Sequence, residues 1–396
     1  MKKRIVAFLL SVTIIVSALL GVEGYASISD AAEKIPERYD LRELGLVTPV
    51  RNQAGYPLCW AFATTAAMES NALVRGYGEY DLSELQIAYM ITHKFAPKDS
   101  PIFGEGLKFP KSWTDLDGHS AGGQGDSYSS NLLRGYAIIT EDKFPLGQEY
   151  SGLYTAGASL EGDLYVDSVY MVSVTDRTAI KGLIMKNGAV CIDVNASSWK
   201  QENICNTKTG AAYLPKKTEE FDQVNHAVVI VGWDDNYSRD NFPIKPASDG
   251  AWIIKNSWGT DNGDNGYYYL SYSDAFLQDK QYGAWSITVR KDRNYDRVYQ
   301  YDGGIGYYFI QQVKAVAINF KAEEKELITG IRIKLFPCTQ FRFSGVNAKI
   351  DLYKGSLDKF AADLGEPIYT QECYIEYPDY QTIEFDQDVI IKKTNY

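Results

Sequence analysis

The order of helical and strand-like patterns is the feature that most limits the fold of this chain. Helical patterns come first, at residues 59–74, 83–93, 129–136 and 178–186. From Ala189 to residue 290 the segments are strand-like, because they are rich in Val, Ile, Tyr and Trp and are separated by Gly and Asn. Helices first and strands second predict an α+β domain built in two halves.

A second kind of strand pattern begins near residue 297. The charged stretch "RKDRNYDRVYQYDGG" precedes it, and segments such as "VKAVAINFKA" and "AKIDLYKG" then alternate apolar and polar residues over short spans. This alternation, without a helical pattern, predicts an all-β sandwich over residues 297–396 and a boundary near 291–297. Since the chain stops shortly after a strand, the sequence leaves open whether this sandwich is complete.

The first 26 residues have the pattern of a secretory signal peptide. Lys2-Lys3-Arg4 precedes the uncharged run from Ile5 to Val22, and the small residue Ala26 follows. We therefore predict cleavage near Ala26 and a secreted or cell-surface protein. The run is 18 residues long, which also allows an uncleaved membrane anchor.

Net charge limits the possible partners of the chain, and the number of cysteines limits its disulfides. The net charge is −11, and removing residues 1–26 deletes three basic residues and one acidic residue, which gives −13. This balance disfavours nucleic acids and anionic membranes as partners. The five cysteines are too scattered for a disulfide framework, and their odd number leaves at least one thiol free.

Cys59 opens the first helical pattern, in "NQAGYPLCWAFATTAAMES". One interpretation is a core thiol, because cysteine is among the most buried residue types. The other is a thiolate nucleophile at a helix N-terminus, where the helix dipole and unpaired N–H groups favour negative charge.

A histidine and an asparagine complete a possible catalytic set with this cysteine. His226 begins the strand-like segment "HAVVIVGW", and Asn256 ends "AWIIKN". Either residue alone is more often structural. The order Cys, His, Asn predicts a thiolate–imidazolium pair oriented by an amide. The backbone N–H of Cys59 and the side-chain amide of Gln53 are candidate donors to the oxyanion of the tetrahedral intermediate.

Four segments in this order resemble the papain family of cysteine proteases. They are "VTPVRNQ" with "CWAF", "DLSELQIAYM", "NHAVVIVGW" and "AWIIKNSWGTDNGDNGYYYLSY". The resemblance covers roughly residues 35–290 and implies a two-lobed fold, with a helical lobe and a β-barrel lobe facing each other across a cleft. Tyr56 and Tyr89 stand where the family usually has disulfide cysteines, so packing is expected to replace those disulfides.

The resemblance implies a role for each matching residue. Cys59 would be the nucleophile, His226 the general acid/base, Asn256 the orienting residue and Gln53 the oxyanion donor. Trp258 would shield the Asn–His hydrogen bond from water.

The substrate-binding residues follow from the same resemblance. Asn225 would present its backbone carbonyl to substrate, and Gly125, Asp126 and Tyr128 would border the main side-chain pocket. Asp126 suggests either a preference for basic side chains or a solvated loop carboxylate. The "DNGDNG" segment at 261–266 lacks the spacing and final Glu of an EF-hand loop, so we predict no metal and no cofactor.

The region after residue 297 resembles the lectin-like β-sandwich that follows papain-type domains in some secreted bacterial proteins. Such a domain would hold a glycan, the cell wall or a substrate protein near the catalytic domain and raise its effective concentration. The alternative is a domain that only packs against and stabilises the catalytic one.

The leading functional hypothesis is a secreted cysteine endopeptidase acting on protein or peptide substrates through a thioester acyl-enzyme. Two alternatives use the same scaffold. One is an acyl transferase or hydrolase acting on cell-wall peptides, and the other is a non-catalytic surface adhesin. The adhesin predicts the loss of a catalytic residue, whereas Cys59, His226 and Gln53 are all present.

Overall fold

In this computed structural model the chain divides into two compact units. The larger unit is Ala31–Gly306, and the smaller unit combines Met1–Asp30 with Tyr307–Tyr396. The structure describes residues 10–18, 35–92, 137–147, 162–292, 315–322, 326–335, 346–354, 365–377 and 379–391.

The first helix of the larger unit, α1 (Cys59–Val74), has the bounds that the sequence predicts. Almost every residue from Trp60 to Ala72 is buried, which fits a helix that is apolar nearly all round. Arg75 is the C-cap of the helix, and Gly76 follows with a φ of 69°. This left-handed conformation, which glycine adopts without strain, ends the helix.

The second helix, α2 (Glu84–Thr92), begins with half of a capping box. The spacing of Ser83 and Gln86 predicts reciprocal hydrogen bonds. The Ser83 hydroxyl does accept the Gln86 N–H at 3.0 Å. The Gln86 amide instead bridges a neighbouring segment, donating to Ala137 O at 2.8 Å and accepting from Ile139 N–H at 2.9 Å. The second half of the predicted box is therefore wrong, because a tertiary contact takes that side chain.

The next helix among the described residues, α3 (Arg177–Asn187), is capped at both ends. The helix predicted at residues 129–136 lies outside the described residues. The Asp176 carboxylate accepts the Ala179 N–H at its start, and Gly188, with a φ of 93°, ends it. A Cβ at Gly188 would lie 2.6 Å from the Ser70 hydroxyl on α1. Glycine is therefore required for the close approach of α3 to α1.

The strands of the larger unit form one sheet, which the structure describes as ten-stranded. From edge to edge the order is β3-β4-β11-β5-β8-β9-β10-β7-β6, and β2 pairs with β8. The bounds are β2 (Arg38–Asp40), β3 (Ala137–Ile138), β4 (Leu164–Ser173), β5 (Val190–Val194), β6 (Cys205–Asn206), β7 (Ala211–Ala212), β8 (His226–Asp234), β9 (Ala251–Lys255), β10 (Tyr267–Ser271) and β11 (Gly283–Arg290).

Helix α1 is hydrogen-bonded to α3 and to strands β5 and β11. The Asn71 amide donates to Asn187 O at 2.8 Å and accepts the Val289 N–H at 2.8 Å. Cys191 Sγ on β5 donates to Ala63 O at 3.3 Å. These contacts join α1 to β5, and β5 pairs in turn with β8, the strand that begins with the candidate histidine.

The smaller unit is built of strands in its described part, as the alternation predicts. One sheet has the order β12-β1-β14-β15, and β13 pairs with β16 in a second sheet. Leu352 and Tyr369 of the first sheet pack with Val389 of the second, in the manner of a sandwich. The bounds are β1 (Leu10–Ala18), β12 (Ala315–Ala322), β13 (Glu326–Leu335), β14 (Val346–Lys354), β15 (Tyr369–Ile375) and β16 (Asp379–Ile391).

Strand β1 comes from the run that the sequence predicts as a signal peptide. It lies between β12 and β14 and is antiparallel to both. The run is rich in Val, Ile and Thr, which favour strands. Cleavage near Ala26 stays a prediction. Among the described residues, no helix is long and apolar enough to cross a membrane.

Candidate active site

Cys59 is the first residue of α1 and is partly buried. Leu58 precedes it without a side-chain cap, so the first N–H groups of the helix remain available to the sulfur. Burial raises the pKa of the thiol, hydrogen bonds from the Ala227 and Trp60 N–H groups lower it, and the charge of Asp193 raises it. The net pKa is raised.

His226 begins β8 and is almost fully buried. Its Nε2 lies 2.8 Å from Asn256 Oδ1, and the Ser257 N–H lies 2.7 Å from the same oxygen. Because that oxygen can only accept, Nε2 carries the ring proton and Nδ1 keeps the lone pair. Burial lowers the pKa of His226 to about 4, against the opposing effect of Asn256.

Burial thus favours the neutral forms of both Cys59 and His226 in this conformation. Within the part of the chain that the structure describes, no hydrogen bond joins the thiol to the imidazole. The Ala227 N–H, one residue after His226, interacts with the Cys59 sulfur, so the helix tip and the head of β8 are neighbours. The ionised pair expected from the sequence stays a prediction.

Trp258 lies against the histidine ring. The two rings stack with centroids 4.7 Å apart and an interplanar angle of 27°. Asn256 itself is 3% exposed. A hydrogen bond shielded in this way is stronger than one open to water, which is the geometry that the shielding role requires.

Two aromatic residues that the sequence did not single out surround Trp258. Trp199 stacks on Tyr268 with centroids 4.9 Å apart, and both contact Trp258 edge-on at 6.4 Å. The Tyr268 side chain also interacts with Asn256, although Asn256 Nδ2 has no partner of good geometry among the described residues. No local sequence signal could reveal this cluster, because Trp199 and Tyr268 are far apart in the chain.

Gln53 is held at both ends of its amide. Its Oε1 accepts the Ser257 hydroxyl at 2.6 Å, and its Nε2 donates to Tyr56 O at 2.9 Å. Its backbone N–H donates to Ser257 O at 2.8 Å. An amide NH₂ has two protons, so one proton is used by Tyr56 and the second can serve as a donor from a fixed position.

The predicted substrate-binding residues are only partly described. The side-chain amide of Asn225 bonds to the segment that follows β5. It donates to the Ser197 hydroxyl at 2.8 Å and accepts the Ala196 N–H at 2.9 Å. Gly125, Asp126 and Tyr128 lie outside the described residues, so their role as a pocket border stays a prediction.

A buried ionic network lies one residue from Asn256. Glu69 on α1 accepts from the Thr48 hydroxyl and the Leu82 N–H, and Lys255 donates to Thr48 at 2.9 Å. Burial raises the pKa of Glu69 and lowers the pKa of Lys255 to about 8. The sequence showed these residues as ordinary members of a helix and a strand, and only the fold brings their charges together.

A cysteine at a helix tip, a buried His–Asn pair and an adjacent glutamine amide form the residue set that the papain resemblance implies. The family profile described as Papain family cysteine protease matches residues 35–90 and 120–284. The chain belongs to this family.

Known relatives resemble the same part of the chain. "Probable cysteine protease RD19B" of Arabidopsis thaliana is 29% identical over 241 residues, covering 60% of this chain and 58% of that one. "Cysteine proteinase 1" of Dictyostelium discoideum is 27% identical over 239 residues, covering 60% and 61%. The chain therefore spans about three fifths of the length of these relatives.

Solved structures extend the likeness of fold to most of the chain. A structure of the cysteine protease and lectin-like domains of Cwp84, a surface layer associated protein of Clostridium difficile, matches with a TM-score of 0.60 at 23% identity. It covers 89% of this chain and 72% of that one. A second structure, of a Cwp84 variant after propeptide cleavage, matches with a TM-score of 0.57 at 22% identity, covering 88% and 80%. These matches support the papain-like fold followed by a further domain.

Proposed function

We propose that this chain is a secreted cysteine endopeptidase whose nucleophile is Cys59. The observation that carries the proposal is the buried hydrogen bond from His226 to Asn256, at 2.8 Å. It fixes the tautomer that leaves Nδ1 as a base, beside a helix whose first residue is a cysteine. Family membership supports the same chemistry.

In the proposed reaction Cys59 is the nucleophile, His226 transfers protons, and two N–H donors stabilise the oxyanion. Cys59 Sγ attacks the peptide carbonyl carbon while its proton passes to His226 Nδ1, and the Cys59 N–H and Gln53 Nε2 stabilise the oxyanion. His226 then gives that proton to the leaving amine as the C–N bond breaks, which leaves a thioester. Water attacks the thioester with His226 as base, which releases the acid and restores the thiol.

The ionised pair would form on closer approach of the two groups. In a structure without substrate, catalytic hydrogen bonds are often long and tighten only in the complex. An imidazolium beside the thiolate stabilises both charges, which opposes the effect of burial on each pKa. Asn256 holds Nε2 throughout, so the ring stays oriented for proton transfer.

Secretion and surface attachment belong to the same proposal. The pattern at residues 1–26 supports export, and the fold likeness to the surface-layer protein Cwp84 supports a cell-surface location. The all-β unit would bind a glycan, cell-wall polymer or substrate protein and keep the protease near its target.

The test compares wild type with Cys59→Ala on denatured casein and on isolated cell-wall peptides, with peptides identified by mass spectrometry. The matched control is Cys373→Ala, which removes the half-buried thiol in the smaller unit. The proposal expects casein cleavage by wild type and the control, and none by Cys59→Ala. Cleavage or transfer confined to cell-wall peptides would favour the acyl-transfer alternative. A folded wild type without turnover of either substrate would favour the adhesin.

A further inference from the structure

Asp193 is a buried carboxylate beside the candidate nucleophile that the proposed mechanism does not use. It lies on β5, which runs antiparallel to β8 with Asp193 opposite Ala227 and Val194 opposite His226. Directly opposed residues of an antiparallel pair present their side chains on the same face of the sheet. Asp193 therefore shares the face of Ala227.

This face is turned toward α1. Cys191, two residues earlier on β5, lies on the same face as Asp193, and its Sγ donates to Ala63 O at 3.3 Å. Advancing two residues along a strand covers about 7 Å, and going back four residues from Ala63 to Cys59 covers about 6 Å of helix. Asp193 and Cys59 therefore lie at the same height along the contact between β5 and α1. The Ala227 N–H, which belongs to the residue opposite Asp193, interacts with the Cys59 sulfur and supports this placement.

The charge of Asp193 acts on the nucleophile. The side chain is 8% exposed, and its carboxylate is among the groups that raise the pKa of Cys59. A negative charge that disfavours the thiolate is a disadvantage for the enzyme alone. A cationic group of the substrate would neutralise that charge on binding and remove the disadvantage as the reaction begins.

We propose that Asp193 selects substrates that carry a Lys or Arg side chain close to the scissile bond and pairs with that cation. The inference rests on the proposed endopeptidase function and names its substrate class. The net charge of −11 favours encounters with cationic substrates in the same direction. In this arrangement the correct substrate both fills the site and promotes formation of the thiolate.

The experiment uses a positional-scanning library of fluorogenic peptides, which varies one position at a time on either side of the scissile bond. At one position, wild type is expected to cleave Lys or Arg peptides about 10- to 100-fold faster, in kcat/KM, than norleucine peptides of similar length, as a hydrogen-bonded charge pair implies. Asp193→Asn should reduce this ratio to about threefold or less, because the cationic peptides lose their partner while the norleucine peptides are cleaved no more slowly than by wild type. Asp193→Glu should retain the preference.

The matched control is Asp142→Asn, which removes an exposed carboxylate of the same unit. It should leave the preference unchanged, and thermal melting checks that each variant is folded. Wild type without a cationic preference at any position, or an Asp193→Asn enzyme that retains it, would overturn the inference while leaving the endopeptidase function in place. If Asp193→Asn does not fold, the same comparison is made with Asp193→Ala. An Asp193→Ala enzyme that retains the cationic preference, or a wild type that lacks it, overturns the inference. Failure of wild type to cleave any peptide overturns both proposals.

Discussion

His226 and Asn256 are joined by a buried hydrogen bond of 2.8 Å, and the same Asn256 oxygen also accepts the Ser257 N–H. The second bond fixes which end of the amide faces the ring. Without it the amide could turn and present Nδ2, and the imidazole would then take the other tautomer. The hydrogen bond from Ser257 to Asn256 therefore fixes the tautomer of His226, and with it the ring nitrogen that acts as base in the proposed reaction.

Replacing this amide tests the orienting role. Asn256→Ala should lower kcat by about 100-fold, because the unrestrained ring spends little time in the productive tautomer and orientation. KM should change much less, since the side chain contacts the histidine rather than substrate. Steady-state kinetics give both values, and Asn236→Ala, at an exposed position, is the control. An Asn256→Ala enzyme with the kcat of wild type contradicts the role.

Removing the Gln53 amide should affect the transition state more than substrate binding. Gln53→Ala is expected to lower kcat by about 100- to 1000-fold, which is the usual effect of losing one oxyanion donor. Because Ser257 loses its acceptor as well, the melting temperature should be measured in parallel. Gln281→Ala, an exposed glutamine, controls for general effects. Loss expressed mainly in KM would assign Gln53 to substrate binding instead.

Neutralising Asp193 should make Cys59 more acidic. Its carboxylate raises the pKa of the thiol, so Asp193→Asn should shift the pH profile of iodoacetamide alkylation at Cys59 to lower pH. Peptide mapping by mass spectrometry separates Cys59 from the other thiols, and Asp142→Asn should leave the profile where it is. A shift to higher pH would mean that Asp193 stabilises the thiolate.

Opening the aromatic cover over His226 should raise the pKa of the imidazole. Burial lowers that pKa from 6.5 to about 4, and Trp258 stacks directly on the ring. Trp258→Ala should move the pKa back toward its ordinary value, whereas Trp258→Phe should move it less. The chain has only three histidines, so NMR titration of the ring protons can resolve each one. An unchanged pKa would mean that other groups exclude water from the ring.

Glu84 should make stability fall between about pH 5 and pH 8. Burial raises its pKa from 4.5 to about 8, so the folded state binds this proton more tightly than the unfolded state. Its contribution is complete below pH 4.5 and is lost as the pH rises through about 8, by up to about 1.4 kcal/mol per pH unit. Urea unfolding across this range measures the slope.

Glu84→Gln should flatten that slope, because the amide keeps the shape and cannot titrate. Glu219→Gln, at an exposed position, should retain the slope of wild type. If Glu84→Gln has the same dependence of unfolding free energy on pH as wild type, a group other than Glu84 is responsible for that dependence.

Lys255 affects stability at higher pH than Glu84, because its pKa is lowered from 10.5 to about 8. Its contribution is present above pH 10.5 and is lost as the pH falls through about 8.

Local sequence patterns were sufficient to predict the helix and the strand that carry Cys59 and His226. The bounds of α1 follow from an apolar run that begins after Pro57 and ends before Gly76, and the strand beginning at His226 follows from its Val and Ile content. The half-formed capping box shows the limit of such patterns. Gln86 has the right spacing, but residues 137 and 139 supply better partners from another part of the chain.

The sequence by itself determined the α+β class and the positions of Cys59, His226 and Asn256, because periodicity, glycine stops and residue types are local properties. The papain-like order of the motifs came from the resemblance of four segments to that family. Only the tertiary structure decided the strand order, the burial that shifts the pKa values of the thiol and imidazole, and the position of Asp193 beside the sulfur. These features depend on contacts between segments far apart in the chain and on the exclusion of water from charged groups. Neither of these can be deduced from the neighbours of a residue in sequence.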